Sequence, residues 1–334
     1  MLTATIDTGT TNTRVTLWRD RVAVAQAARP VGVRNTALTG SRNALQVGVR
    51  EALMAALQQA GTPETGLGLV LASGMISANV GLHEVPHLPA PAGRAELAAG
   101  MVSAAIAEVC TLPVWFIPGV RNRTSDIGLD DIDLVDMMRG EETETIGLVD
   151  RLAISRPAVV VLPGSHTKFV QLDAGQRITG CATTLAGELL QVISQHTLLA
   201  GSLDSGFASE LAPRALLTGA RAAGRVGLGR ACFSVRALEL FTDQDRNARA
   251  NFLLGAVLGA DLLALRHSRA IGVDSGVDIV VAGPPLWRDA FCLLLRDDGF
   301  FQREIVAVDA AQQLHLAGAG AIAIAQARGL QARD

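Results

Sequence analysis

Short apolar runs joined by tight turns open the chain. Residues 2–8, 13–18 and 21–29 read as three strands of an antiparallel meander. Residues 41–59 carry a helical period that ends at Gly61 and Pro63. The run 67–72 reads as a buried strand, and 74–93 is irregular and rich in Gly and Pro. A helix is predicted over 94–109, a strand over 113–117 and a helix over 140–153 with acids in its first turn. A second set of three strands follows at 158–163, 168–173 and 176–184, and helices fill most of 186–268. Strands at 277–282 and 304–309 alternate with helices at 286–298 and 311–327.

Three strands followed by mixed helix and strand therefore occur twice. The pattern predicts an α/β protein of two related domains, residues 1–153 and 154–334, with the boundary near 152–157 and a cleft between them for a ligand. A length of 334 residues suits two domains.

Composition narrows the function classes. Apolar residues make up 49% and charged residues 18%, which fits a soluble globular protein rather than a disordered one. A net charge of −3 with 4% aromatics supplies neither the basic stripe nor the stacking platform of a nucleic-acid binder. The apolar stretches at 252–265 and 314–327 are too broken or too short to predict a membrane span. The N-terminus lacks the features of a signal peptide, and Cys110, Cys181, Cys232 and Cys292 form no CxxC, so a cytoplasmic, reduced protein is expected. The sequence leaves the oligomeric state open, a homodimer included. The 29 basic residues include a single lysine, Lys168.

The first turn, Asp7-Thr8-Gly9-Thr10-Thr11-Asn12-Thr13-Arg14, combines a glycine with hydroxyl residues. Such a turn lets the backbone approach an anion and offers N–H and O–H donors. An acid at the strand end, here Asp7, can hold hydrated Mg²⁺. A plain glycine turn capped by Thr and Asn is the other reading. The second domain opens on Pro163-Gly164-Ser165-His166-Thr167-Lys168, again a glycine and hydroxyl hairpin. No GxxxxGK[ST] occurs, which excludes a P-loop NTPase on motif grounds. One phosphate-type hairpin per domain is a stronger signal than either alone.

This pairing resembles the superfamily of sugar kinases, actin and Hsp70, with two ribonuclease H-like, actin-like ATPase domains around an interdomain cleft. Further blocks resemble the 2-dehydro-3-deoxygalactonokinases: Gly74-Met75-Ile76-Ser77-Ala78-Asn79-Val80-Gly81, Ile117-Pro118-Gly119, Met138-Arg139-Gly140-Glu141-Glu142-Thr143, the second hairpin, Ala186-Gly187-Glu188-Leu189 and Phe233-Ser234-Val235-Arg236. The resemblance runs over about residues 5–320, and the blocks at 138–143 and 163–168 are its most specific parts. It implies ATP-dependent phosphorylation of the 6-hydroxyl of 2-dehydro-3-deoxy-D-galactonate, a step of galactose breakdown, with ATP and Mg²⁺ as cofactors and a small sugar acid as partner. Thr8 and Phe169 stand where this family usually has Trp, and Thr8 is expected to alter the nucleotide- or sugar-facing wall.

Roles follow from what phosphoryl transfer needs: positioning, charge neutralisation and a carboxylate to accept the hydroxyl proton. Asp7, Gly9, Thr10, Thr11, Gly164, Ser165, His166 and Thr167 fit the nucleotide phosphates, with Asp7 at the metal and a satisfied structural imidazole as the equal reading of His166. Related carbohydrate kinases place the Asp of a G-D motif where Gly140-Glu141 stands, so Glu141 is the expected base and Glu142 the alternative. Two acids placed only for the helix dipole remain the other reading. Lys168 is expected as a point charge on the transferring phosphoryl group, or as an exposed strand lysine. Arg139 suits a grip on the substrate carboxylate, with Arg14 and Arg236 as runners-up and Ser77 and Asn79 at sugar hydroxyls. Gly283 resembles the adenosine-contacting turn, and Ala317-Gly318-Ala319-Gly320 a close-packed interdomain helix.

His83-Glu84-Val85-Pro86-His87 matches the HExxH zinc pattern. Pro86 inside it, with Pro89 and Pro91 behind, is incompatible with the helix that chemistry requires, so a loop over the substrate pocket is expected. N-acetylglucosamine and other sugar kinases lack the 138–143 block. A non-catalytic sugar or nucleotide sensor of the same fold would need no base.

Overall fold

The computed structural model describes residues 1–123, 125 and 127–332. β1 (Leu2–Thr8), β2 (Thr13–Arg19) and β3 (Val22–Arg29) form the expected meander. α1 (Val33–Thr39) and α2 (Asn43–Gln59) follow, and β4 (Leu67–Gly74) returns parallel to β1. Next come β5 (Leu88–Pro89), α3 (Arg94–Gly100), β6 (Val102–Ala104), β7 (Val114–Phe116), β8 (Val120–Arg121), β9 (Met137–Met138) and α4 (Glu141–Leu152). The first sheet runs β3-β2-β1-β4-β7-β6, and β5-β8-β9 make a separate three-stranded sheet.

The second half repeats the plan. β10 (Ala158–Leu162), β11 (Thr167–Leu172) and β12 (Ile178–Thr184) form a second meander. A helical layer follows: α5 (Ala186–His196), α6 (Leu199–Leu203), α7 (Pro213–Val226), α8 (Leu228–Phe241) and α9 (Arg246–His267). β13 (Asp278–Val281), α10 (Pro285–Asp298), β14 (Ile305–Ala307), α11 (Ala310–Gln313) and α12 (Leu316–Ala327) complete the chain. The order β12-β11-β10-β13-β14, with β10–β13 and β13–β14 parallel, matches β3-β2-β1-β4-β7 of the first sheet. β10 is buried at every position, as a strand covered on both faces should be, whereas edge strand β3 alternates.

Three apolar clusters hold this together. One packs α2 under the first sheet, and one fills the C-terminal helical layer. The third combines Ile146 and Leu148 of α4, Val160 and Val170 of the second sheet, and Ile324 of α12, so it belongs to both halves. The α4–α12 crossing is glycine-dependent. A Cβ on Gly320 would lie 1.8 Å from the Thr143 carbonyl oxygen, and one on Gly147 2.5 Å from that of Leu316. The small-residue run 317–320 thus packs the last helix against α4, across the two halves. α9 passes the length and hydropathy test for a membrane span, but 72% of its most apolar stretch is buried inside the protein.

Two expected helices are corrected. The helix expected over 94–109 stops at Gly100, because Val102–Ala104 pair with Val114–Phe116 as an edge strand. Sheet pairing there overrides the local helical period. The helix expected over 311–327 breaks at His315, which takes a left-handed conformation (φ 57°) at the start of α12. Its ring lies edge-on to Trp18 and its Nδ1 is 3.0 Å from Gln26 Nε2, contacts that anchor the break.

Candidate active site

A cavity of about 680 Å³ opens between the two sheets. From the first half it is lined by Thr5, Asp7, Arg14, Thr16, Gln26 and Glu144, and from the second by Pro163, Gly283, Arg288, Gln313 and His315, among others. The ends of β1 and β10, the two strands that carry the hairpins, therefore face one space.

The first hairpin is tight. Gly9 N–H donates to the Asn12 carbonyl at 2.9 Å, and Gly9 to Asn12 are exposed. The N–H groups of Val33 and Arg34, at the start of α1, donate to the carbonyls of Gly9 and Thr10. Gly32 permits this, since a Cβ there would lie 2.5 Å from Thr10 backbone. A Cβ on Gly9 would meet only the Asn12 carbonyl at 3.9 Å, so the outer face of the turn is open to an anion. Thr8 is fully buried, with its hydroxyl 3.1 Å from that of Thr13. It forms no wall of the cavity, which corrects the effect expected from its replacing Trp. Phe169 likewise lies in the core, edge-on to Phe291.

The second hairpin is held differently. Glu188 N–H donates to the Ser165 carbonyl, and His166 Nε2 lies 3.0 Å from Glu188 Oε1. Gly187 lets α5 press on the turn: a Cβ there would sit 2.4 Å from the Gly164 carbonyl oxygen. Ser165 and His166 are exposed and Thr167 is buried. Gly283, at φ +108°, turns the chain after β13 beside Pro163, and its N–H donates to Gln313 Oε1 at 2.5 Å.

The 138–143 block meets the first hairpin through two glycines. Gly74 (φ +82°) would place a Cβ 2.6 Å from the Thr8 carbonyl, and Gly140 (φ +117°) would place one 3.3 Å from Gly74 Cα. Backbone contact thus brings the start of α4 to Asp7. The result is a carboxylate cluster. Burial raises the Asp7 pKa, opposed by Arg14, 3.7 Å away, and reinforced by Glu141. Burial, with the Glu141 charge behind it, pushes Glu142 up to about 8, and both its oxygens accept from Gly140 N–H at 2.8–2.9 Å. Glu142 is fully buried and caps its own helix. Glu141 is half-buried, with Oε2 accepting from Arg139 N–H at 3.1 Å. Glu144 was missed by the sequence reading. It lies one turn beyond Glu141 and lines the cavity, and burial followed by the charges of Asp7, Glu141 and Glu142 pushes it up to about 8. The i, i+3 spacing that puts 141 and 144 on one helix face was the available signal.

Several expected ligands are otherwise engaged. Arg139 donates to the Ser77 carbonyl (2.8 Å), Ser77 Oγ (2.6 Å), the Val85 carbonyl (2.8 Å) and His87 Nδ1 (3.1 Å). It pins the 77–87 loop rather than reaching into the cavity. Ser77 is fully buried and donates to the Gly74 and Ile117 carbonyls, and exposed Asn79 accepts from Val80 N–H. Arg236 pairs with Glu239 on α8 and does not line the cavity. Lys168 is buried and donates at 2.6 Å to the Met137 carbonyl and at 2.6 Å to Thr183 Oγ1. Arg14 remains at the cavity, with Asp7 as its ion-pair partner. His83 and His87 sit on a non-helical segment, with His83 against Phe116 and His87 lowered to about 4 by burial and by Arg139, so the HExxH resemblance carries no zinc chemistry.

A duplicated meander-and-crossover sheet with one glycine hairpin per half defines the actin-like ATPase and sugar-kinase fold. The chain belongs to the 2-keto-3-deoxy-galactonokinase family, whose model matches residues 7–319. It is 28% identical over 278 residues to the 2-dehydro-3-deoxygalactonokinase of Escherichia coli (strain K12), covering 82% of this chain and 85% of that one. It is 31% identical over 199 residues to a Rhizobium meliloti (strain 1021) protein named as a probable enzyme of the same kind, covering 59% of this chain and 57% of the other. A crystal structure of a Sinorhizobium meliloti protein, provisionally named a 2-dehydro-3-deoxygalactonokinase, superposes with a TM-score of 0.75 at 26% identity over 97% of this chain and 98% of that one. The ADPNP-bound activator of 2-hydroxyisocaproyl-CoA dehydratase from Clostridium difficile shares the fold alone, at a TM-score of 0.50 and 14% identity over 98% and 96% of the chains.

Proposed function

We propose that this sugar-acid kinase transfers the γ-phosphoryl group of ATP to the 6-hydroxyl of 2-dehydro-3-deoxy-D-galactonate, giving 2-dehydro-3-deoxy-6-phospho-D-galactonate and ADP. One observation carries the reading: the acids at the start of α4 meet Asp7 of the first hairpin beside a cavity that the second half closes. Residues 1–153 would present the sugar acid and residues 154–334 the nucleotide. The open backbone of Gly9 to Thr11 and Gly164 to His166 would hold phosphate oxygens, with Gly283 beside the nucleoside.

Glu141 would take the proton of the 6-hydroxyl as its oxygen bonds the γ-phosphorus. The bond from that phosphorus to the bridging oxygen then breaks and ADP leaves. Glu142 is the poorer base, since both its oxygens are committed to Gly140 N–H inside the core. Among the described residues no group of three or more His, Cys, Asp and Glu side chains could hold a metal. The donor set instead fits Mg²⁺, which keeps several waters and needs one or two carboxylates plus phosphate. Asp7 and Glu144, crowded carboxyls on the cavity wall, are the residues that would hold it, and the ion would supply charge neutralisation on the phosphates. Arg14 is suited to the remaining anion, the substrate carboxylate or a phosphate oxygen.

A coupled assay of ADP release over a panel of 2-keto-3-deoxy sugar acids tests this. Turnover should be fastest with the galactonate-derived acid and should require Mg²⁺. ATP binding with no turnover of any sugar acid would defeat the reading.

A further inference from the structure

We propose that Lys168 is a positioning residue that locks the segment carrying the base to the second hairpin, and that it does not touch phosphate. This rests on the kinase reading above. β11 places Lys168 opposite Leu162 of β10 and Thr183 of β12, at the base of the second hairpin. Its side chain is 10% exposed, and Lys168 is not among the residues that line the cavity. The ammonium crosses to the other half of the molecule, donating to the Met137 carbonyl and, within its own sheet, to Thr183 Oγ1, each at 2.6 Å. The Asp136 carboxylate lies 3.8 Å away on the same side.

These contacts close a ring. Thr183 Oγ1 donates to Asp136 Oδ1 at 2.8 Å, and Met137 N–H donates to the same oxygen at 2.6 Å. Met137 and Met138 form β9 and lead directly into Arg139, Gly140 and Glu141. Arg139 then ties the same segment to the 77–87 loop. Buried Asn122 extends the joint, donating to the Leu134 and Cys181 carbonyls and accepting from Cys181 N–H. The peptide carrying Glu141 is therefore bonded on one side to the substrate-side loop and on the other to the hairpin strands of the second sheet.

The chemistry explains why this position alone keeps a lysine. A compact ammonium donates in separate directions, which matches a carbonyl and a hydroxyl at hydrogen-bond distance with a carboxylate charge 3.8 Å away. A planar guanidinium with a fixed fork needs more width and presents its donors in one plane. Phosphoryl transfer is sensitive to this alignment, since a displacement of about 1 Å between reacting groups can cost on the order of a hundredfold in rate.

The test compares Lys168→Met, Lys168→Arg and Thr183→Val, the last breaking the ring without removing a charge. Each is measured for kcat, for ATP affinity by direct titration, and for the ratio of ADP formed to sugar phosphate formed. We expect kcat to fall about ten- to a hundredfold in both Lys168 variants and severalfold in Thr183→Val, with ATP affinity within about threefold of wild type. The ADP ratio should rise, because a misaligned acceptor lets water compete. Lys168→Met combined with Thr183→Val should be no worse than Lys168→Met alone. Hydrogen exchange should quicken over residues 136–142 in every variant. A tenfold or greater loss of ATP affinity on removing Lys168, with Thr183→Val behaving as wild type, would mean a phosphate contact and overturn the proposal. So would unchanged kcat and exchange in a folded Lys168→Met protein. Should the wild type phosphorylate no sugar acid, the functional reading fails by itself, while ATP affinity and exchange still decide the role of Lys168.

Discussion

The two hairpins have the same ingredients and opposite surroundings. At the first, the charged residues flanking the turn stay at the cavity: Asp7 and Arg14 line it, and Glu144 faces them from α4. At the second, the one strong cation is withdrawn into a joint behind the turn, leaving Gly164, Ser165 and His166 at the surface. The bracing differs in kind as well. N–H groups at the start of α1 hold the first turn by its carbonyls, whereas α5 presses glycine against the second and adds the Glu188 contact. On the proposed reading, proton transfer and charge neutralisation would fall to the first half, and the second would offer backbone and hydroxyl donors on a firmly seated loop. A duplicated sheet has yielded one chemical edge and one holding edge.

The largest expected effect tests that division at its chemical edge. Glu141→Gln keeps the size of the side chain and removes its basicity. Loss of a positioned general base typically costs about 10²–10⁴-fold. We expect kcat to fall within that range while ATP affinity stays near wild type, as read by single-turnover kinetics and titration. Near-full activity in Glu141→Gln would move the base elsewhere and erase the asymmetry between the halves.

Next in size is a lesion at the holding edge. Gly187→Ala puts a methyl 2.4 Å from the Gly164 carbonyl oxygen, so α5 or the hairpin must shift. Overpacking of this kind costs roughly 1–3 kcal/mol. A lower melting temperature and a KM for ATP raised more than that for the sugar acid are the expected results. Gly201→Ala, on α6 away from the hairpin, is the control, because its Cβ would meet nothing within 4 Å. If both variants changed the KM for ATP equally, the pressing contact from α5 would not be what seats the hairpin.

How much of this was readable in the sequence follows from how local each feature is. The two meanders and their turns were legible because strand pattern and turn chemistry are carried by adjacent residues. The β5-β8-β9 sheet was not, since its two-residue strands exist only through pairing of distant segments. α1 was also overlooked, as a seven-residue helix carries little period. Asp7 and Glu141 were both named from motif and helix start, and of the two Asp7 lines the cavity, while Glu141 stands beside it one turn before Glu144. Arg139 and Lys168 were given ligand roles, yet their partners are the carbonyls of Ser77, Val85 and Met137. A cation satisfied by remote carbonyls looks, in sequence, the same as one awaiting an anion.

The remaining expected effect leaves turnover aside and is one of pH, and it separates the halves without any substrate. Glu144 is held at about 8, well above the ordinary 4.5, by burial first and then by Asp7, Glu141 and Glu142. Between those two values the folded protein keeps a proton that the unfolded chain has released. Its contribution to stability is thus fully present below about 4.5 and is lost as pH rises through about 8. Glu144→Gln cannot ionise, so it escapes that loss. The melting temperature of the nucleotide-free variant should exceed that of wild type by a margin that widens from pH 5 to pH 8 and then levels, a range reached by ordinary calorimetry. His166→Gln, at the second hairpin, removes a contact to an exposed partner, Glu188, and should shift melting by little at any of these pH values. A margin for Glu144→Gln that stayed flat across the range would mean that the carboxylates at the first hairpin do not crowd one another, and the contrast between a charged edge and a holding edge would lose its physical basis.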